Sequence, residues 1–411
     1  MLSRKETYEE VLDIGEQIGG WWGKQVYKEL NHAAISYTLQ RNLNEYPFLK
    51  PLGRVLNHLL IYSPPGFLKS TLINSWRSLI GNLGIPISTT TTEALRGTVN
   101  LQNIGKGTVV GSFVPPVPCQ TSAIFVDEWN TIAHSRDRSL HPLILQLLEL
   151  EEVSVFISKL EYLTSQQRMN IEGEYKDHNL IFDTAQSFRY KPDSLWIIAT
   201  YDLTPLTDEA FLQRVNTVLP EREFDDTWNT KIASIEHPPV VSEDLKDSLR
   251  YYIKKSVPNI NETDYNKYKQ MALELFPKIF NTPQGWNPRL TRDVNSFIAT
   301  QLAWELDLNE EIITNFITTR SSVLKSVDLK KNALIESGRN PSSWEGYNKK
   351  FAITFKDREF TIKEAAQAVS GSYFYIAGVL SQQPEVYKRV NPGRKPVKYV
   401  IQQNAVNQAH E

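Results

Sequence analysis

The chain has 411 residues, of which 41% are hydrophobic and 22% are charged, as in a globular protein large enough for two or three domains. Its net charge of −2 excludes a global basic field, so any nucleic-acid site must be local. The single cysteine, Cys119, excludes an internal disulfide and a cysteine-based zinc site. The N-terminus has no apolar signal core and no apolar run approaches membrane-spanning length, so we expect an intracellular, cytoplasmic protein.

Residues 1–45 are predicted to form an N-terminal helical segment, because apolar side chains recur at helical spacing between Val11 and Trp22. Residues 46–235 alternate helical stretches with runs that are apolar at nearly every position. Such runs are typical of strands buried on both faces, which predicts an α/β core with a parallel sheet. The five predicted strands are 55–63, 85–89, 122–128, 195–201 and 217–221.

Residues 236–335 carry helical periodicity without a comparable strand, and we expect a helical region there. The polar, turn-rich stretch 336–350 predicts a linker. Residues 350–405 begin with Thr361 and Glu364, a capping box for a first helix. A second helix and two short strands around an Asn-Pro-Gly turn follow, and this order predicts a winged helix-turn-helix domain.

The stretch "LLIYSPPGFLKSTLINSW" (59–76) is close to the phosphate-binding pattern Gly-x-x-x-x-Gly-Lys-Ser/Thr between a strand and a helix. Ser63 and Leu68 occupy the two glycine positions of that pattern. Lys69 is placed to reach the β- and γ-phosphates of a nucleotide, and the Ser70 hydroxyl to ligate Mg²⁺. Alternatively, the stretch is a Pro-Pro-Gly turn with a solvated lysine, and the loop alone leaves both interpretations open.

Two further strands end in polar groups. In "AIFVDEWN", Asp127 can complete a Mg²⁺ shell and Glu128 can polarise an attacking water. A strand that ends in Asp-Glu is common, but its spacing after the first loop favours nucleotide binding. In "LWIIATYDLTP", Thr200 and Asp202 either enter a simple turn or orient water near the γ-phosphate.

Arginines stand at two later positions where a strand or a helix begins. Arg214 precedes an apolar run in "FLQRVNTVLP", and Arg289 and Arg292 lie in the first turns of a helix that begins near Pro288. These side chains could simply be solvated. Alternatively, Arg214 could enter the site of a neighbouring subunit, and one helical arginine could bind the γ-phosphate.

These stretches, in this order, resemble the motifs of AAA+ ATPases, and most closely those of the MCM replicative helicases. The MCM phosphate loop, Gly-Asp-Pro-Gly-x-Ala-Lys-Ser, also lacks the glycine before lysine and is similar to "SPPGFLKS". The resemblance makes Asp127 and Glu128 the Walker B pair and places Asp202 at sensor 1, where the family has asparagine. It makes Arg214 the arginine finger and Arg292 the second sensor arginine. The implied nucleotide contacts are Pro65, Gly66, Phe67, Leu68, Lys69, Ser70 and Thr71.

The resemblance implies a P-loop AAA+ core with a helical lid, ATP and Mg²⁺ as cofactors, and a homo-oligomeric ring, expected to be hexameric. It also implies DNA contacts by Lys106, at the tip of a predicted β-hairpin, and by Lys159, in a segment similar to the presensor-1 hairpin. Alternatively, both are exposed surface lysines. We expect a reduced form of the family, without the N-terminal OB domain and zinc ribbon.

The segment "YKRVNPGRKPVKY" concentrates positive charge in the predicted wing. Arg394, Lys395 and Lys398 there predict salt-dependent and largely sequence-independent DNA binding, unless the wing is only a solvated charged hairpin. The predicted function is therefore an ATP-dependent, nucleoid-associated MCM-like motor that translocates on or unwinds DNA in replication. One alternative is an AAA+ initiator, helicase loader or transposition regulator that binds ATP and DNA without unwinding. Another is a scaffold that does not hydrolyse ATP.

Overall fold

The computed structural model describes residues 1–52, 54–87, 92–103, 109–127, 129, 140–201, 209–233, 239–280, 288–336, 351, 354–355, 358–368, 380, 387–390 and 398–401. The chain forms two compact units. The first comprises Met1–Asp202 and Ala210–Val323, and the second comprises Leu203–Glu209 and Leu324–Glu411.

The described α-helices are α1 Arg4–Arg41, α2 Lys69–Ile80, α3 Thr92–Arg96, α4 Leu140–Leu148, α5 Ser165–Glu174, α6 Glu209–Leu212, α7 Asp226–Ala233, α8 Glu243–Lys254, α9 Glu262–Ile279, α10 Pro288–Ala303, α11 Glu310–Glu336 and α12 Ile362–Ala368. The described strands are β1 His58–Tyr62, β2 Gly84–Ile87, β3 Thr98–Asn103, β4 Val109–Val114, β5 Ala123–Val126, β6 Val153–Phe156, β7 Ile181–Phe182, β8 Ser187–Tyr190, β9 Leu195–Thr200, β10 Val215–Val218, β11 Phe360–Thr361, β12 Tyr387–Arg389 and β13 Lys398–Ile401. Among these helices, none is both long enough and apolar enough to cross a bilayer.

The first unit contains a five-stranded parallel sheet in the order β10-β1-β9-β5-β2. Every residue of β5 and β9 is buried, which is why these strands are continuously apolar in sequence. The predicted α/β class with a parallel sheet is confirmed. The last strand begins at Val215, two residues before its predicted start, because Val215 is buried and pairs with His58 although the polar Asn216 follows it.

Strand β9 lies between β1 and β5 and pairs with both. Tyr62 of β1 is level with Thr200 of β9, and Val126 of β5 is level with Ile198. Since the three strands are parallel, their carboxyl ends meet at one edge of the sheet, where ligands of such sheets bind. The segments that follow these strands therefore lie side by side.

Side chains from three helices bind the outer edge of β10. Successive outward carbonyl groups accept hydrogen bonds as follows: Val215 from Arg289, Thr217 from Arg320, and Leu219 from Gln25. Arg320 also forms a buried ion pair with Asp293, with Nε and Oδ2 2.8 Å apart. Helices α1, α10 and α11 are thereby tied to the sheet.

Helix α1 is a hairpin of two helical halves. Gly20 between the halves has φ 59° and ψ −144°, outside the helical range, and the chain reverses there. The halves are so close that a Cβ on Gly23 would lie 1.9 Å from the carbonyl oxygen of Gly15. Farther along, Tyr8 of the first half stacks on His32 of the second, with ring centroids 5.8 Å apart. This crossing therefore requires glycine.

Two antiparallel β-structures extend from the core. β3 and β4 pair as a hairpin at the predicted place, although its predicted tip residue, Lys106, lies outside the described residues. A second sheet has the order β6-β8-β7, and α5 lies in the connection between β6 and β7. Phe113 of β4 packs on Phe182 and Phe188 of the second sheet, with ring centroids 5.8 and 5.4 Å apart. The two structures thus share an apolar contact.

The described residues between 239 and 336 contain helices and no strand, as the periodicity predicts. Ser242 caps α8 by accepting from the Leu245 amide, and Asn261 caps α9 by accepting from the Thr263 amide. Phe297 of α10 stacks on Phe316 of α11, with ring centroids 3.9 Å apart. Caps and packing together account for this helical region.

The second unit has an antiparallel sheet in the order β11-β13-β12. Its core includes the aromatic residues Phe351, Phe355, Phe360, Tyr387 and Tyr399. The predicted capping box is present, since the Thr361 hydroxyl accepts from the Glu364 amide and the Glu364 carboxylate accepts from the Thr361 amide. The predicted second helix of the winged helix falls mostly outside the described residues, so that domain type stays a prediction.

The crossing in α1 can be tested by replacing Gly23 with alanine. Because the added Cβ would overlap the Gly15 carbonyl group, we expect the free energy of unfolding to fall by about 1–3 kcal/mol or more. Gly173→Ala is the matched control: Gly173 also lies in a helix, but nothing is within 4 Å of its added Cβ. That variant should gain about 0.5–1 kcal/mol. Urea denaturation measures both, and equal stabilities would contradict the crossing.

Candidate functional site

Residues 63–68 connect β1 to α2 at the carboxyl edge of the sheet, and with Lys69 and Ser70 of α2 they make up the predicted phosphate loop. Gly66 has φ 86° and Leu68 has φ 56°, so both take left-handed conformations. Glycine adopts this conformation freely, whereas a leucine pays about 1–2 kcal/mol for it. Leu68 thus takes, at some cost, the conformation that a glycine takes at that position of the general pattern.

Lys69 is folded back onto the start of its own loop. Its ammonium group donates to the carbonyl oxygens of Ser63 and Pro64 and to the Ser63 hydroxyl. Burial lowers the pKa of Lys69 to about 8, although nearby Asp127 opposes this shift. Ser63 stands at the first glycine position of the pattern. Its hydroxyl therefore gives Lys69 a contact that a glycine there could not provide.

Ser70 and Asp127 meet at the mouth of the site. The Ser70 hydroxyl donates to Asp127 Oδ1 over 2.6 Å. Magnesium prefers oxygen ligands at about 2.1 Å in octahedral geometry, which puts neighbouring ligands about 3 Å apart. A small widening would let these two oxygens bind one ion, so the donor set fits Mg²⁺. Among the described residues, no group of three or more His, Cys, Asp or Glu could hold a metal alone, so further ligands would be water or phosphate oxygens.

The phosphate loop opens on a cleft of about 480 Å³. All seven residues expected to contact nucleotide line it, together with Asp127 and three residues at the end of β9: Pro65, Gly66, Phe67, Leu68, Lys69, Ser70, Thr71, Ala199, Thr200 and Tyr201. A volume of this size is within the range of small-molecule sites. The strand order brings these groups together, because β9 places its end between the loop and Asp127.

Five predicted site residues lie outside the described residues, namely Lys106, Glu128, Asp202, Arg394 and Lys395. Lys159 is exposed in a short 3-10 helix, Ser158–Tyr162, that directly follows β6. Lys398 lies in β13, where its ammonium group is 3.0 Å from Glu359. Lys159 is therefore not among the residues that line the cleft, and Lys398 belongs to the sheet of the second unit.

Arg214 and Arg292 lie at the opposite, amino edge of the sheet. Arg214 directly precedes Val215, which is level with the first residue of β1, and Arg292 donates to the Gln213 carbonyl over 3.1 Å. The five residues of β1 separate the two edges by about 13 Å. These arginines therefore do not share a site with Lys69 of the same chain.

Arg54 and Glu149 join this arginine group, and the sequence reading missed both. Glu149 forms an ion pair with each of two arginines: its Oε1 lies 3.0 Å from Arg214 Nε, and its Oε2 lies 3.5 Å from Arg54 Nη1. Burial, with the nearby positive charge of Arg292, lowers the pKa of Arg54 to about 10, while Glu149 opposes this. The only signal in the sequence is a charged residue four positions before a buried strand, which is too common to predict such a cluster.

Comparison of the sequence with known protein families finds no match, and comparison with curated proteins finds none.

Proposed function

We propose that this chain is an ATP-hydrolysing motor of the AAA+ type, most similar to the MCM helicases, which assembles as a hexameric ring and translocates on or unwinds DNA. The observation that carries the proposal is the meeting of Lys69, Ser70 and Asp127 at the carboxyl edge of a parallel sheet. This edge, with a loop that enters a helix N-terminus, is where such folds bind phosphate.

The roles of the loop residues follow from their geometry. Pro64 and Pro65 have no amide hydrogen, so backbone contacts to phosphate begin at Gly66. Lys69 would exchange its bonds to Ser63 and Pro64 for phosphate oxygens, whose negative charge would add to that of nearby Asp127 in offsetting the cost of burial. Ser70 and Asp127 would hold the metal ion. Bound MgATP would supply two things: the γ-phosphate group to be cleaved, and the positive charge of Mg²⁺, which would offset the negative charge of the phosphate oxygens.

Hydrolysis also needs a group that orients and deprotonates water. Glu128, directly after Asp127, is proposed for this role, and Asp202, after β9, is proposed to sense the γ-phosphate. The support is that Asp127, directly before Glu128, and Tyr201, directly before Asp202, both line the cleft. An aspartate instead of asparagine at the sensor position predicts slow turnover.

Arg214 and Arg292 support assembly into a ring. They lie at the edge of the sheet opposite the phosphate loop, so a role at a phosphate requires the site of a neighbouring subunit. Burial and mutual repulsion in the group make a bound anion favourable there. We therefore propose that each nucleotide lies between two subunits.

DNA contact is proposed for the paired β-structures and for the second unit. Lys159 is exposed. The short helix that contains it lies beside the β3–β4 hairpin, since a Cβ on Gly111 of β4 would lie 3.2 Å from the Tyr162 carbonyl oxygen of that helix. Lys106, Arg394, Lys395 and Lys398 are proposed to add phosphate contacts.

Replacing Lys69 with alanine tests nucleotide binding. We expect ATP affinity to fall about tenfold to a hundredfold, because a hydrogen bond to a charged group contributes about 1.5–3 kcal/mol. Titration with a fluorescent ATP analogue in Mg²⁺ measures this. Lys24→Ala, which removes an exposed lysine paired with Glu16, is the control and should bind as wild type.

Glu128→Gln then separates binding from turnover, since it should still bind ATP while phosphate release stops. If wild type and Glu128→Gln release equally little phosphate in the presence of DNA, the chain is not an ATPase.

Mixing two inactive variants tests the proposed neighbour contact. Lys69→Ala subunits keep Arg214, and Arg214→Ala subunits keep the loop, so a mixed ring contains some intact sites. We expect the mixture to hydrolyse ATP faster than either variant alone. Absence of recovery, with mixed assembly shown by native mass spectrometry, would place the arginine's action elsewhere.

A forked DNA duplex tests the motor. We expect ATP-dependent strand separation, which Glu128→Gln should abolish without loss of DNA binding. ATP hydrolysis with loading on DNA, but without separation of strands, would favour the initiator or loader instead.

A further inference from the structure

A side chain from the bend of α1 forms a hydrogen bond to the backbone of the phosphate loop. Trp22, two residues after the non-helical Gly20, is fully buried, and its indole N–H donates to the Phe67 carbonyl oxygen over 3.1 Å. This bond joins residues 45 positions apart in sequence. It is the point at which the N-terminal hairpin binds the backbone of the loop.

The direction of this bond determines the direction of the next amide. In a trans peptide the C=O and the following N–H point in opposite directions. Because the Phe67 carbonyl points to Trp22, the Leu68 N–H points away from α1. Leu68 is also in a left-handed conformation, and successive amides around such a residue form a concave anion-binding nest.

Aromatic contacts fix the same residue through its side chain. The Phe67 ring stacks on Phe224, with centroids 4.0 Å apart, and Phe224 stacks on Trp21 at 5.2 Å. Trp228 of α7 packs beside them and donates to the Gly19 carbonyl over 3.0 Å. Phe67 is thus held by its backbone and by its ring.

Two features make the position of the Leu68 backbone important. Two residues of the loop are prolines, which have no N–H to donate to phosphate, so the remaining amides must be well placed. Leu68 also bears the strain of a positive φ. Strained backbone persists only where the surrounding structure determines it strongly. The contacts of Trp22 and Phe224 supply that determination.

We propose that Trp22 is a positioning residue of the nucleotide site, which orients the Phe67–Leu68 peptide so that the Leu68 amide donates to a nucleotide phosphate. This rests on the proposed ATP binding. Trp22 does not touch the nucleotide; it acts through the Phe67 carbonyl group.

Trp22→Phe tests this, because it keeps an apolar ring and removes the indole donor together with part of the ring volume. Trp304→Phe is the matched control: Trp304 is also fully buried, and its indole donates over 3.1 Å to the Asn31 carbonyl, in α1 but away from the loop. We expect Trp22→Phe to weaken ATP and inorganic tripolyphosphate alike, by about threefold to tenfold. Trp304→Phe should bind both within about twofold of wild type, with a similar loss of stability in urea.

The two proposals fail in different ways. If wild type does not bind ATP, the proposed function is wrong. If wild type binds ATP and Trp22→Phe binds both ligands as tightly, the positioning role is wrong. Should Trp22→Phe not fold, Phe224→Leu, which removes the half-exposed ring stacked on Phe67, must weaken tripolyphosphate binding; unchanged binding overturns the proposal.

Discussion

The pairing of β9 with both β1 and β5 is the constraint on which the candidate site depends. It places the end of β9 between the phosphate loop and Asp127, level with Tyr62 and two residues beyond the level of Val126. Because every residue of β5 and β9 is buried, a shift of register would force the close-packed side chains on both faces of the sheet to repack, which is strongly opposed. The core therefore fixes the spacing of Lys69, Ser70 and Asp127 more firmly than the short polar contacts between them do.

The same sheet separates two groups of charge. Ser70, Asp127 and Lys69 lie at its carboxyl edge, while Arg54 and Arg214 pair with Glu149 at its amino edge, where Arg292 binds the Gln213 carbonyl group. A parallel sheet keeps such groups apart, since every strand runs between them. Under the proposed function, each edge would hold one part of what phosphoryl transfer requires, and a head-to-tail arrangement of subunits would bring the two parts together.

Continuous apolar runs predicted the five strands, since burial on both faces leaves the same signature wherever it occurs. The start of β10 was misplaced because Asn216 interrupts the run while the strand continues at the edge of the sheet. The reversal of α1 could not be predicted from periodicity, which continues through Gly20, although the Gly19-Gly20 pair is in retrospect the signal. The support of Phe67 by Trp22, and the arginine group around Glu149, join residues far apart in sequence. No local pattern records such contacts.

The hydrogen bonds from Arg289, Arg320 and Gln25 to β10 have a further consequence. The outer strand of a sheet normally has unpaired backbone N–H and C=O groups along its free edge. A strand of another molecule can pair with them, which leads to edge-to-edge aggregation. The carbonyl groups of Val215 and Thr217 in β10, and of Leu219 directly after it, are already bound by these side chains. A strand from another molecule would have to displace three helical side chains, one of them in a buried ion pair, before it could pair there. This edge is thereby protected against growth of the sheet by addition of a strand from another molecule.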